Sequence, residues 1–140
     1  MINVREMKFK EIMDDKGVLT PIEGARDIPF DIRRVYYITS VGKEMRRGFH
    51  AHRNLEQVLI CLHGSVRIMV KMPDEAATYL LDAPSKGLYI GHMVWREMYD
   101  FSEGAVLLVL ASEHYNEADY FRAYEEYEKE ARSYFKEKIT

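Results

Sequence analysis

Two histidines one residue apart, His50 and His52, stand in the stretch Arg47-Gly48-Phe49-His50-Ala51-His52. Leu55-Glu56-Gln57 and the apolar run Val58-Leu59-Ile60-Cys61-Leu62 follow. In an extended chain, side chains two apart share a face, so the imidazoles project together while Phe49 and Ala51 point the other way. A neutral imidazole takes up a proton or ligates a metal. Spacing alone leaves both roles open, along with that of ordinary histidines on a strand. Arg47 and Gly48 place a guanidinium and a pliant backbone just ahead of the pair, a combination suited to an anionic ligand.

The elements that must position these residues are short. Residues 4–12 read as a strand ended by the turn Asp14-Asp15-Lys16-Gly17, and residues 18–23 as a second strand whose Pro21 favours a sheet edge. Residues 32–39 are rich in β-branched and aromatic side chains. On that strand Arg34 and Tyr36 share one face, and Arg33, Val35 and Tyr37 the other. Residues 58–62 and 65–71 read as a hairpin across His63-Gly64, with further strands at 78–81, 88–90 and 93–99. Residues 105–111 are apolar without alternation, which predicts cover on both faces. Turns at such close intervals predict an all-β sandwich or barrel. From Asn116, a candidate N-cap, the residues Tyr120, Tyr124, Tyr127, Ala131 and Tyr134 recur at helical spacing. They predict a C-terminal α-helix whose aromatic stripe serves packing rather than catalysis.

A chain of 140 residues is read as one domain, residues 1–140, with a core that needs no staples. Lys+Arg 20 against Asp+Glu 23 gives a formal net charge of -3, without the basic excess of a nucleic-acid binder. A phosphate would have to be met by a local arginine cluster. The single Cys61 lies in an apolar run and reads as a small buried residue in a reducing compartment. Charges in Met1-Ile2-Asn3-Val4-Arg5-Glu6-Met7 argue against a signal peptide, and no segment approaches a membrane span, so a cytoplasmic protein is expected. Ser65, Ser85 and Ser112 lie in no nucleophile-elbow context. Trp95 and Tyr89 read as core residues.

The histidine block, together with Leu55-Glu56-Gln57-Val58-Leu59, Gly64-Ser65, Gly87-Leu88-Tyr89-Ile90-Gly91, Val94-Trp95, Glu97-Met98, Asp100-Phe101 and Val109-Leu110-Ala111-Ser112, resembles the dTDP-4-keto-6-deoxy-D-glucose 3,4-ketoisomerases. The resemblance runs from about Lys8 into the C-terminal helix. It implies a cupin-type jelly-roll barrel with a C-terminal α-helix, a homodimer with exchanged N-terminal strands, and a site for a dTDP-linked 4-keto-6-deoxy sugar in each barrel. It also implies a pyridoxal-phosphate-dependent aminotransferase as the next enzyme. The wider cupin superfamily often sets a metal on His-X-His, a glutamate and a later histidine. His50, His52 and Glu56 keep the first part of that spacing, but the later histidine falls at Arg96, a cation that cannot ligate. Acid/base chemistry with neither metal nor cofactor is therefore the expectation. Three positions depart from the common pattern: Arg96, where a histidine is frequent, Lys16, where an arginine can occur, and His92, often a proline.

On this reading His50 is the base that removes the C3 proton, and His52 the partner that handles the oxygen proton or reprotonates carbon. Tyr36 donates to the developing oxyanion, with Tyr37 as its alternative. Arg47, then Arg34, holds the pyrophosphate. Arg96, Lys16 and Glu56 complete the expected substrate-binding set, with Arg96 and Lys16 near the sugar. Competing readings are a 3,5-epimerase acting on the same substrate class, a metal-dependent cupin enzyme, and a nucleotide-sugar binding module.

Overall fold

The computed structural model describes residues 1–139. The strands in chain order are β1 (Val4–Lys8), β2 (Ile12–Asp14), β3 (Gly17–Leu19), β4 (Arg34–Ile38), β5 (Arg47–His52) and β6 (Gln57–His63). They continue with β7 (Val66–Met72), β8 (Glu75–Leu81), β9 (Lys86–Ile90), β10 (Trp95–Tyr99), β11 (Val106–Ala111) and β12 (Tyr120–Phe121), before helix α1 (Tyr124–Ile139). Two five-stranded sheets form, in the orders β1-β9-β6-β11-β4 and β12-β5-β10-β7-β8, and β2-β3 stands apart as a two-stranded hairpin. From β4 onward the chain changes sheet at every connection except the β7-β8 hairpin. That alternation makes the barrel a jelly roll of the cupin type.

Inward-facing apolar residues of both sheets fill the barrel: Leu59, Cys61, Ile68, Val70, Leu88, Leu107 and Val109 are all buried. Each of the valine, leucine and isoleucine side chains contributes roughly 1.5–3 kcal/mol by leaving water. On the outside, α1 buries Tyr127, Ala131 and Phe135. Trp95 packs beneath the helix against Tyr124 and Tyr127, as a core residue. The Tyr127 hydroxyl donates to the Met93 carbonyl at 2.8 Å, which pins the helix to the loop ahead of β10.

Three expectations are corrected. Residues 4–12 are not one strand: β1 ends at Lys8, and β2 pairs only with β3. Residues 58–62 and 65–71 do not form a hairpin, because β6 and β7 lie in different sheets. The turn between them is tied elsewhere, with Ser65 N–H donating to Ser102 Oγ at 2.8 Å and Ser102 N–H to the Ser65 carbonyl at 2.9 Å. The helix begins at Tyr124, not Asn116. Asn116 caps a single 3-10 turn, Glu117–Asp119, by accepting from Ala118 N–H. Tyr120 then sits on β12, opposite His52, and leaves the helical stripe.

Candidate active site

Cross-strand register assembles the site. On β10, Arg96 lies opposite His50, Glu97 opposite Gly48 and Met98 opposite Arg47. Phe49 is thus an extra residue without a partner, a β-bulge with φ 59° next to Gly48 at φ 93°. The bulge has a consequence for facing. In a regular strand Arg47 would share the outer face with Phe49 and Ala51, but one inserted residue turns it onto the face of His50. Gly48 is required there: a Cβ would meet the Arg96 carbonyl oxygen at 2.9 Å.

Opposite this wall, β4 carries Arg34 and Tyr36 inward, while Tyr37 is 69% exposed on the outer face, away from the cavity. A cavity of about 390 Å³ is lined by His50 and Tyr36, with Tyr115 and Tyr120 from the segment before the helix. Three guanidiniums line the same cavity, those of Arg34, Arg47 and Arg122. Arg34 stacks over Tyr36 and Tyr115. Arg122 lies over the Tyr120 ring and is paired to Glu117.

The two imidazoles meet edge to face with centroids 4.9 Å apart, and Tyr120 packs on both, 4.2 Å from His52 and 5.1 Å from His50. His50 reaches the cavity, whereas His52 lies behind it and is 1% exposed. Burial first, and then the charge of Arg96, pushes the His50 imidazole down to about 3, and the same two causes push His52 further down. Both rings are therefore neutral at pH 7, the state a base requires. The carboxylate of Asp119 lies 3.6 Å from His52 Nδ1.

Arg96 is fully buried and is not among the residues that line the cavity. Its guanidinium donates to Gln57 Oε1 at 2.5 Å and to the Val94 carbonyl at 3.0 Å. Burial lowers its pKa to about 10, so the cation persists at neutral pH. Arginine has no acceptor, so the Gln57 amide oxygen must face it and the amide nitrogen is left to donate to the Tyr36 hydroxyl oxygen at 2.9 Å. Burial raises the Tyr36 pKa and keeps its proton in place. With its oxygen engaged by Gln57, that proton is free for a ligand in the cavity.

Two further expected residues fall outside this group. Glu56 accepts a 2.6 Å bond from the Tyr89 hydroxyl and lines a different surface depression with Arg33 and His92. Neighbouring strand residues face opposite ways, so it is Gln57 that enters the barrel. Lys16 lies exposed in the β2-β3 turn, where its N–H donates to Asp14 Oδ1, away from the histidine cavity of its own chain. The residues facing the histidine pair do not fit a metal held by three protein ligands: Glu56 points away, and a guanidinium and an amide occupy the positions behind the rings. Gln57, Arg122 and Asp119 have no site role in the sequence reading, and Tyr120 has only a packing one. Strand alternation next to Glu56 was the available signal for Gln57; the others carried none that separates them from a helix start.

A jelly-roll barrel holding neutral imidazoles, a tyrosine donor and an arginine-lined cavity defines a cupin-type enzyme. The model of the family described as FdtA: WxcM-like, C-terminal, matches residues 2–132, and the chain belongs to that family. It is 49% identical over 123 residues, 88% of each chain, to the TDP-4-oxo-6-deoxy-alpha-D-glucose-3,4-oxoisomerase of Aneurinibacillus thermoaerophilus. Among solved structures it is similar to a histidine-to-asparagine mutant of the 3,4-ketoisomerase QdtA from Thermoanaerobacterium thermosaccharolyticum in complex with TDP-4-keto-6-deoxyglucose. That match has 60% identity, a TM-score of 0.93, and coverage of 95% of this chain and 96% of the other. The WlaRB TDP-quinovose 3,4-ketoisomerase from Campylobacter jejuni aligns at 43% identity and TM-score 0.89, covering 92% and 99%.

Proposed function

We propose that this protein is a sugar-nucleotide 3,4-ketoisomerase that moves the carbonyl of TDP-4-keto-6-deoxyglucose from C4 to C3. One observation supports the reading above others: a neutral histidine and an oriented tyrosine hydroxyl share one cavity with three arginines, in a chain 60% identical to a ketoisomerase solved with that sugar. The C4 carbonyl acidifies the C3 proton, and His50 removes it. Negative charge grows on the C4 oxygen of the resulting enediolate, where Tyr36 donates a hydrogen bond. Carbon C4 is then protonated, and the proton of the C3 hydroxyl passes to the C4 oxygen. In total C3 loses one hydrogen from carbon and one from oxygen, and C4 gains both. The balance closes without an outside oxidant or cofactor. Arg47, Arg34 and Arg122 meet the pyrophosphate, and Arg96 acts from behind through Gln57.

The protein works as a homodimer on this reading. The β2-β3 hairpin joins neither sheet and exposes Ile12, Met13, Val18 and Leu19, apolar side chains suited to pairing with a second copy. The reaction belongs in the cytoplasm, and its 3-ketone suits a pyridoxal-phosphate-dependent aminotransferase as the following enzyme.

The test is proton NMR of TDP-4-keto-6-deoxyglucose incubated with the protein in D₂O, beside His50→Asn. The expected product is a 3-ketone with deuterium at C4, formed about a hundred- to ten-thousandfold more slowly by the variant. A retained 4-ketone with exchange at C3 and C5 means an epimerase, and unchanged substrate means binding without chemistry; either overturns the proposal.

A further inference from the structure

The loop that follows the histidine strand is gathered onto one residue. Three consecutive backbone amides converge on Asp119: Arg53 N–H donates to its carbonyl at 3.0 Å, Asn54 N–H to Oδ1 at 2.9 Å and Leu55 N–H to Oδ2 at 3.1 Å. The carboxylate is itself buried, at 7% exposure, and no arginine or lysine is paired with it among the described residues. Each oxygen has a further lone pair beyond the amide it receives. Oδ2 lies 3.6 Å from His52 Nδ1. That imidazole has no hydrogen-bond partner at either nitrogen. Closing the gap to hydrogen-bond length takes a ring movement of about half an ångström.

We propose that Asp119 is a positioning residue for the histidine pair: it holds His52 as the Nδ1–H tautomer and so leaves Nε2 with a free lone pair. This rests on the ketoisomerase reading only for its consequence in catalysis. A neutral imidazole carries one proton on one of two nitrogens, and a neighbouring carboxylate selects the nitrogen that donates to it. A buried carboxylate accepts and cannot donate, so Nδ1–H is the tautomer it stabilises. The ring then presents an acceptor, not a donor, at Nε2 to the side chains around it. His52 acts through His50 and Tyr120, whose rings it touches, rather than from the cavity wall.

The first experiment needs no variant. Long-range ¹H–¹⁵N correlation spectra of ¹⁵N-histidine-labelled protein at pH 7.5 identify each ring's tautomer, with His52 assigned by the loss of its signals in His52→Gln. The expected result is an Nδ1–H ring; an Nε2–H or doubly protonated ring overturns the proposal. The second compares wild type with Asp119→Asn. Asparagine offers one oxygen and one NH₂ group, so it cannot accept from both Asn54 and Leu55 while also selecting the histidine tautomer. In folded Asp119→Asn, kcat should fall about ten- to a hundredfold while KM changes less than about threefold, and the His52 tautomer should become mixed. A lower melting temperature with unchanged tautomer and unchanged kcat would assign Asp119 to loop structure alone and refute the role. The tautomer is read without substrate. A protein that shows Nδ1–H yet makes no 3-keto sugar therefore refutes the ketoisomerase reading and not this one.

Discussion

Replacing Arg96 by methionine isolates the electrostatic device behind the histidines. The guanidinium is enclosed, has no carboxylate partner within ion-pair distance among the described residues, and sits directly across the ladder from His50. Cross-strand neighbours hold their Cβ atoms about 5 Å apart. A charge pair some 6 Å apart at an effective dielectric near 20 interacts by about 3 kcal/mol, or about two pK units. Burial is the larger cause of the low His50 pKa, is partly offset by the Gly48 backbone bond and the Glu117 charge, and survives the substitution. The imidazole should therefore rise from about 3 to about 5, still below its value in water of about 6.5. Stability should change little. The variant leaves Gln57 Oε1 without its donor, a cost of about 1–3 kcal/mol, and at the same time removes the cost of burying an unpaired charge. The assay is a pH titration of the His50 ring signals by NMR, run beside the acid limb of kcat/KM. In wild type the ring should stay neutral down to acid unfolding, and in Arg96→Met the acid limb should appear near pH 5. A folded variant whose His50 midpoint and acid limb match wild type would falsify the claim that Arg96 sets the protonation of the pair.

Substituting Gly48→Ala combines an unfavourable φ of 93° with a Cβ 2.9 Å from the Arg96 carbonyl; a cost of about 2 kcal/mol, or roughly 5–10 °C in Tm, is expected. TDP should also bind more weakly, because the bulge aims Arg47; calorimetric melting and TDP titration check both, and an unchanged Tm would show that the bulge is not under this constraint. Acid should weaken the fold through the histidines. Each has a folded pKa depressed below about 6.5, so the unfolded chain binds the proton first as pH falls, and stability is complete above 6.5 and lost below it. Between pH 7.5 and 5 each ring accounts for about 2 kcal/mol, and His50→Asn should remove one share of that slope in urea titrations at the two pH values. Sedimentation should show a dimer for wild type and a monomer for Val18→Asp/Leu19→Lys, since both side chains are exposed on the unpaired hairpin; a monomeric wild type would remove the hairpin from any role in assembly.

Local periodicity carried the strands and the barrel class. β-branched runs, close turns and the two-residue repeat are properties of the chain within a few positions, and His50 and His52 share a face for the same reason. The inward pairing of Arg34 with Tyr36 was legible on the same ground. The same rule applied to Arg47 would have turned it outward, and only the register against β10 exposes the bulge that brings it in. Sheet choice was equally hidden: β6 and β7 look like a hairpin because nothing in seven-residue strands states which sheet each will join. Asp119 and Tyr120 reach the histidines from 67 and 68 positions beyond His52. Tyr120 falls by chance on the helical spacing of Tyr124 and Tyr127, so the pattern read there was real for the helix and misleading for its first member. Arg96 was visible as a cation where a histidine is frequent, but its role depends on how much water surrounds it. Alternation along a strand is decided by bonds between neighbours, whereas register, burial and the charge a ring experiences are decided by segments that meet only when the two sheets close on each other.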